Sequence, residues 1–391
     1  MKLLRIRIER VTLAGSVLAL VALFMPFVLL KQNRIVEGTG YGLLELGQPE
    51  LVGVLAACVA AGMVLSFLGE SARIRAAKLA AGLALFITAL VLLCRAGESL
   101  ITADMPYGRL SPRSGFWFFM LATFVVLDGS LRYAPFPGVV KAVVGLAPFA
   151  VLAGMLGGGL FDDLGMLMEY INRQDRFFEE LAAHMRLAGA AVAGAVAIGI
   201  PLGLWAWRSA RIEKPVFAVV NGIQTIPSLA LFGLMIAPLA VLSQAYPLLR
   251  ELGIRGIGNA PALIALTLYA LLPITRNAYT SMAVVPRAVI DAGRGMGMGR
   301  RDLLRMVELP LAVPIILSGI RTSAVQAVGN TAVAALIGAG GLGAFVFQGL
   351  GQAAPDLIVM GAIPIVALAV LVDRCLGVLI RVTTPRGIRN G

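Results

Sequence analysis

Long apolar runs recur along this sequence and constrain its fold more than any other feature. They lie at about 11–30, 51–69, 77–94, 115–130, 139–160, 186–207, 216–242, 260–280, 311–337 and 358–380. Crossing the hydrocarbon core of a bilayer takes about 20 predominantly apolar residues. Hydrophobic residues make up 59% of the chain and charged residues 14%, which is too apolar for a water-soluble domain. The sequence therefore predicts an all-α integral membrane protein with about ten transmembrane helices.

The basic residues are distributed unevenly between the segments that join these runs. If the N-terminus is cytoplasmic, the connections on that side hold 21 Lys and Arg residues and the opposite connections hold 10. Lys and Arg are enriched in cytoplasmic loops, so we predict a multi-pass protein of the cell (inner) membrane with both termini in the cytoplasm. The net charge of +12 follows from this bias, and we expect no nucleic-acid partner.

A polar segment separates the fifth run from the sixth. FDDLGMLMEYINRQDRFFEELAAHMRL begins at Phe161 and carries charged and aromatic residues at helical spacing. This pattern predicts an amphipathic helix on the outer surface. We predict a five-span extension at 1–165, an external linker helix at 166–185, and a second membrane domain at 186–391.

The stretch DAGRGMGMGRRDLLRMVELP, residues 291–310, is polar although it lies between two apolar runs. Asp291 suits the positive end of a short helix, and Pro310 is expected to end that helix before the next run. Its glycines allow a partner surface to approach closely. The charge count places the loop 287–310 in the cytoplasm, where we predict a docking element.

The spacing of this stretch resembles the EAA motif of permease subunits in binding-protein-dependent ABC importers. The matching positions are Asp291-Ala292-Gly293, Gly297, Val307 and Leu309-Pro310. Asp replaces the usual Glu, and Gly replaces the second Ala. The resemblance implies a coupling helix that docks on a separate ATPase. The implied coupling residues are Asp291, Ala292, Gly293, Arg294, Gly297, Arg301, Leu309 and Pro310.

Four further segments, 221–233, 268–282, 308–322 and 335–349, resemble permeases of glycine betaine, choline and carnitine importers. The first half resembles the N-terminal extension of a larger permease of that group. The resemblance implies a five-helix type I importer core that imports a quaternary ammonium osmoprotectant. The implied partners are an ATP-binding subunit, a second permease subunit, an external solute-binding protein and membrane lipid. ATP would be bound by the partner, and we expect no cofactor in this chain.

Polar residues within three of the runs are candidates for a translocation path. They are Gln224, Thr225, Pro227 and Ser228 in the seventh run, Tyr269 and Asn277 in the eighth, and Ser318, Thr322 and Gln326 in the ninth. The first group predicts either a packed kink or a broken helix that lines the path. The last group shares one helical face, which either bonds a neighbouring helix or faces a water-filled path.

No set of residues in the sequence suggests an enzyme or a metal site. His184 has no nearby ligand set, the three cysteines lie within apolar runs, and no nucleophile–base pair can be assembled. Because the chain ends soon after its last run, we expect no fused binding domain. The alternative function is a secondary transporter of small solutes, which would need coupling-ion sites near the membrane midplane.

Overall fold

The computed structural model describes residues 9–34, 36–68, 71–132 and 136–385. The chain divides into two compact units, Met1–Asn172 and Arg173–Gly391. Within the described ranges, nine helices are long and apolar enough to cross a membrane, and a shorter apolar helix precedes them. The predicted all-α membrane class is confirmed.

The first unit contains six α-helices and three short strands in its described residues. The helices are α1 (Arg10–Ala22), α2 (Pro49–Phe67), α3 (Ala72–Leu100), α4 (Ser114–Arg132), α5 (Gly138–Gly157) and α6 (Gly165–Ile171). The strands are β1 (Val28–Lys31), β2 (Thr39–Tyr41) and β3 (Arg109–Pro112). β1 lies between β2 and β3 and is antiparallel to both.

The predicted helix at 11–30 is wrong beyond Ala22. α1 has 13 residues, a length of about 20 Å, whereas the hydrocarbon core is about 30 Å thick. Pro26 follows the helix, and the next apolar residues form the central strand β1. A short apolar run reads the same in a helix and in a buried strand, so the sequence did not distinguish them.

The second unit is built around α11. Its helices are α7 (Gln174–Arg208), α8 (Ala210–Thr225), α9 (Ser228–Ala245), α10 (Pro247–Glu251), α11 (Asn259–Ala283), α12 (Arg287–Gly295), α13 (Arg300–Leu303), α14 (Leu309–Ala334), α15 (Gly343–Gly351) and α16 (Pro355–Thr383). Both α7 and α14 pack on α11. Glycine allows the close approach of α14, since a Cβ at Gly319 would lie 2.7 Å from the Pro273 carbonyl oxygen.

The polar residues predicted to form an outer linker helix belong largely to the first turns of α7, a continuous helix of 35 residues. Their charged side chains contact the segment that joins α14 to α16. Arg176 donates to Gln348 at 3.1 Å, and Glu180 accepts the Gly341 N–H at 2.6 Å. The charged residues at the start of α7 therefore hold the glycine-rich connection between α14 and α16 in place, in addition to their predicted location on the outer surface. The proposed domain boundaries stay a prediction.

Candidate functional site

Two short helices precede α14 and form an exposed elbow, residues 287–310. α12 ends at Gly295, and two residues later Gly297 adopts a left-handed conformation, with a φ of +80°. The Gly297 N–H bonds the Arg294 carbonyl at 2.9 Å, and the Met298 N–H bonds the Gly293 carbonyl at 3.1 Å. This pair of bonds is the Schellman motif, which favours glycine at the left-handed position. The turn at Gly297 therefore fixes the angle between α12 and α13.

One close contact holds the two arms of the elbow together. Gly293 is buried, and a Cβ at this position would lie 2.7 Å from Cδ2 of Leu303. Leu303 is buried in the same contact. Most other side chains of the elbow are exposed, including Asp291, Ala292, Arg294, Met296, Arg301, Met306 and Leu309. The elbow thus presents a mixed apolar and charged surface to a partner.

The structure corrects two details of the predicted elbow. Asp291 lies in the second turn of α12, and the first turn has no acidic residue, so the expected interaction with the helix terminus is wrong. Asp291 instead lies 3.5 Å from Arg294. Pro310 does not end the segment, because a π-helical turn, Leu304–Glu308, runs directly into α14. Pro310 is the second residue of α14 and lies two residues after this π-helical turn. The second arm of the elbow is therefore continuous with a membrane span.

The seventh predicted span is broken between α8 and α9, at Ile226 and Pro227. The Gln224 side-chain amide donates to the Tyr269 carbonyl at 2.6 Å, and the Tyr269 hydroxyl donates to the Ile226 carbonyl. Pro273 has no N–H, so it leaves the Tyr269 carbonyl without its helical donor. The break is thus bonded to α11 through Gln224 and Tyr269. Among the other predicted path residues nearby, Thr225 and Pro227 are exposed and Ser228 is half-buried.

The polar stripe on α14 lies on the face directed away from α11. Ser318 and Thr322 are exposed, and Thr322 donates to the Ser318 carbonyl at 3.1 Å. Gln326 is half-buried. The helix-to-helix bond is made by Ser323, which donates to the Ala270 carbonyl at 2.7 Å. Ser323 was missed from the sequence, although it is four residues from Gly319, the point of closest approach.

Asn277 is not part of the same cluster as Gln224. Its amide donates to the Pro273 carbonyl at 2.8 Å, one turn back along α11. Asn277 also lies against Gly319 of α14. The predicted path residues therefore fall into three places: the break between α8 and α9, the contact of α11 with α14, and the exposed face of α14.

An ion pair between two spans is a further feature that the sequence did not assign. Arg321 of α14 contacts both carboxylate oxygens of Asp373 in α16, at 2.7 and 2.6 Å. Within the described part of the chain, no group of three or more His, Cys, Asp or Glu residues is arranged to hold a metal ion. The His184 ring is buried beside the Val328 carbonyl, 3.0 Å away.

Comparison with known proteins places this architecture in a family. A model described as the inner membrane component of binding-protein-dependent transport systems matches residues 195–384. A second model, described as the N-terminal domain of the ABC transporter permease YehY, matches residues 7–167. The chain belongs to the family of binding-protein-dependent transport system inner membrane components. The predicted resemblance to importer permeases with an N-terminal extension is confirmed.

Individual relatives match about half of the chain. The osmoprotectant import permease protein OsmW of Salmonella typhimurium is 43% identical over 53% of this chain and 91% of its own length. The glycine betaine/carnitine/choline transport system permease protein OpuCB of Bacillus subtilis is 38% identical over 53% of this chain and 88% of its own length. An inward-facing structure of the MetNI methionine ABC transporter aligns with 54% of this chain and 96% of that chain, at 24% identity and a TM-score of 0.46.

Proposed function

We propose that this protein is the permease subunit of an ATP-driven importer for a quaternary ammonium osmoprotectant such as glycine betaine. The relatives named above, for osmoprotectants and for glycine betaine, carnitine and choline, support this substrate class. A secondary transporter is not favoured, because the family is one of binding-protein-dependent systems. Two permease subunits, identical or homologous, would enclose the path.

The exposed elbow is the observation that carries the coupling role. Its residues are held in one shape by the Gly293–Leu303 contact and by the left-handed Gly297, while most of the remaining side chains are exposed. Its second arm continues without interruption into α14, the helix that carries Ser318 and Thr322. Movement of a docked ATPase would therefore be transmitted directly to a helix of the proposed path.

The proposed orientation follows from the charge bias. The C-terminus and the elbow lie in the cytoplasm, where a partner subunit binds ATP, and an external solute-binding protein delivers cargo to the opposite side. This chain is then a transport subunit surrounded by the lipid of the cell (inner) membrane. Gln224, Tyr269 and the exposed face of α14 are the proposed path elements.

Stimulated ATP hydrolysis tests this function. The full chain is reconstituted in nanodiscs with its cognate ATPase subunit, and hydrolysis is compared with that of the ATPase alone. Arg301→Glu, a charge reversal on the elbow, should abolish the stimulation. Arg95→Glu, the same reversal at an exposed residue of the first unit, should retain it. Equal stimulation by both variants would contradict docking at the elbow, and solute uptake by the chain alone along an ion gradient would contradict the importer.

A further inference from the structure

One face of the small sheet in the first unit carries an unusual concentration of polar groups. Lys31 of β1 and Arg109 of β3 are directly paired across the strands, and Leu29 is paired with Ser111. Directly opposed residues, and residues two apart in a strand, share a face. Lys31, Arg109 and Ser111 therefore lie on one face, whereas Leu30 and Leu110 pack into the core on the other.

This face is closed by α6 through a shared carboxylate. Oε1 of Glu169 lies 3.0 Å from Arg109 and 3.0 Å from Arg34. Glu169 is 4% exposed. Two guanidinium groups thus share a single carboxylate oxygen, and Lys31 adds another positive charge beside them.

Several donors on this face have no protein partner. Nε of Arg109 and Oγ of Ser111 are buried without a hydrogen bond in the described part of the chain. Lys31 is 7% exposed, and among the described residues its ammonium has no hydrogen-bonding or ion-pair partner. Burying unpaired donors and positive charge is costly, and an ion bound at such a site is one standard explanation. The donor set suits an oxyanion, because Arg and Lys bind phosphate strongly.

The position of the sheet indicates the source of the anion. The strands lie between α1 and α2 and between α3 and α4, beyond the ends of the apolar helices. The same connections hold exposed apolar side chains: Phe24 is 85% exposed, Leu44 87% and Tyr107 72%. Aromatic and apolar residues at the ends of spans are typical of the membrane–water interface, where lipid phosphates lie.

We propose that Lys31, Arg109 and Ser111 bind a phosphate group, and that its source is the headgroup of an anionic phospholipid. The bound lipid would neutralise the surplus positive charge and attach the sheet to the membrane surface. This site lies outside the transport core, so it is independent of the proposed transport function.

The proposal is tested on the detergent-purified full chain with short-chain phosphatidylglycerol, whose dissociation constant is measured by native mass spectrometry. Lys31→Met removes a charge that has no partner in the described protein. It should raise the dissociation constant about tenfold, as expected for one lost charged hydrogen bond. Lys141→Met, the same change in α5, should leave the constant unchanged. Ser111→Ala should also raise the dissociation constant, and it replaces Lys31→Met as the test variant if Lys31→Met does not fold.

A parallel arm uses inorganic phosphate, with thermal stabilisation as the readout. One outcome is that phosphate stabilises the wild type but not Lys31→Met, and that the lipid does not bind. This result would overturn the assignment to lipid but would retain an oxyanion site. Equal binding of phosphatidylglycerol by wild type, Lys31→Met and Ser111→Ala would overturn the site itself. Equal binding of phosphatidylcholine and phosphatidylglycerol would also overturn it, since the site requires an anion.

Discussion

The Gln224 side chain occupies the hydrogen-bonding position that Pro273 leaves empty at the Tyr269 carbonyl. The amide nitrogen lies 2.6 Å from that oxygen, and the Tyr269 hydroxyl bonds back to the Ile226 carbonyl. A broken helix and a proline-containing helix thus satisfy each other's free carbonyl groups. In a bilayer such groups have no water to bond, so reciprocal pairing explains how both irregularities persist together.

Replacing Gln224 with Leu should destabilise the protein by about 1–3 kcal/mol, because a buried carbonyl loses its donor. Pro273→Ala supplies that carbonyl with a helical N–H, so the cost of Gln224→Leu should shrink in this background. Thermal unfolding in detergent measures all four members of the cycle. Gln244→Leu, at an exposed position of α9, is the control for the loss of a glutamine. Identical losses in the two backgrounds would contradict the reciprocal pairing.

Much of this fold could be predicted because length and hydropathy are sufficient to identify spans. The apolar runs from 51 onward correspond to helices in the described ranges, and the motif at 291–310 lies on an exposed elbow. The sheet could not be predicted, since the first three residues of β1, Val28 to Leu30, are apolar and continue an apolar run. The strand pairs with β2 and also with β3, and no local pattern encodes the pairing with β3, about 80 residues further along the chain.

The details of the candidate site depended on contacts that spacing does not reveal. All four glycines of the elbow were expected to let a partner surface approach closely. The structure instead gives two of them different roles. Gly293 is packed under Leu303, whereas Gly297 has open space around it and is needed for its positive φ. In α14 the polar stripe was predicted, but the side chain that bonds α11 is Ser323, on a different face. Helical periodicity groups residues by face without saying which face is packed.

The Arg321–Asp373 pair should join α14 to α16 as a unit. Asp373→Asn should lower the unfolding temperature, because it leaves a guanidinium without its partner in a membrane span. Replacing both residues with apolar ones, Arg321→Met and Asp373→Leu, should recover much of the loss. Arg381→Met is the control, since it removes an exposed charge from the last turn of α16, away from the pair. A double variant less stable than Asp373→Asn alone would contradict the pairing argument.

Gly297 should be sensitive to substitution because of its backbone conformation. Gly297→Ala forces an L-residue into the left-handed region at a cost of roughly 1–2 kcal/mol and should disturb the elbow. Gly297→Asn should cost less, since Asn tolerates this conformation. Gly295→Ala, in the last turn of α12 with open space around it, is the control and should be neutral or stabilising.

Membrane insertion and ATPase stimulation are measured for these three glycine variants. Gly297→Ala should insert normally and stimulate hydrolysis less than Gly297→Asn, and Gly295→Ala should match the wild type. If Gly295→Ala and Gly297→Ala lower stimulation equally, the glycines act by size rather than by conformation.

The two faces of α14 should differ in chemical accessibility. Cysteine is introduced at Ser318, Thr322 or Ser323 after Cys58, Cys94 and Cys375 have been replaced with serine. The first two positions are exposed, whereas Ser323 is buried against α11. A charged, membrane-impermeant methanethiosulfonate should modify the cysteines at 318 and 322 in the assembled importer, because the proposed path is filled with water. The cysteine at 323 should remain unmodified until the protein is denatured. Absence of modification at 318 and 322 before denaturation would contradict a water-filled path on that face, because only a water-accessible thiol forms the reactive thiolate. Rapid modification at 323 would contradict the packing of α14 on α11.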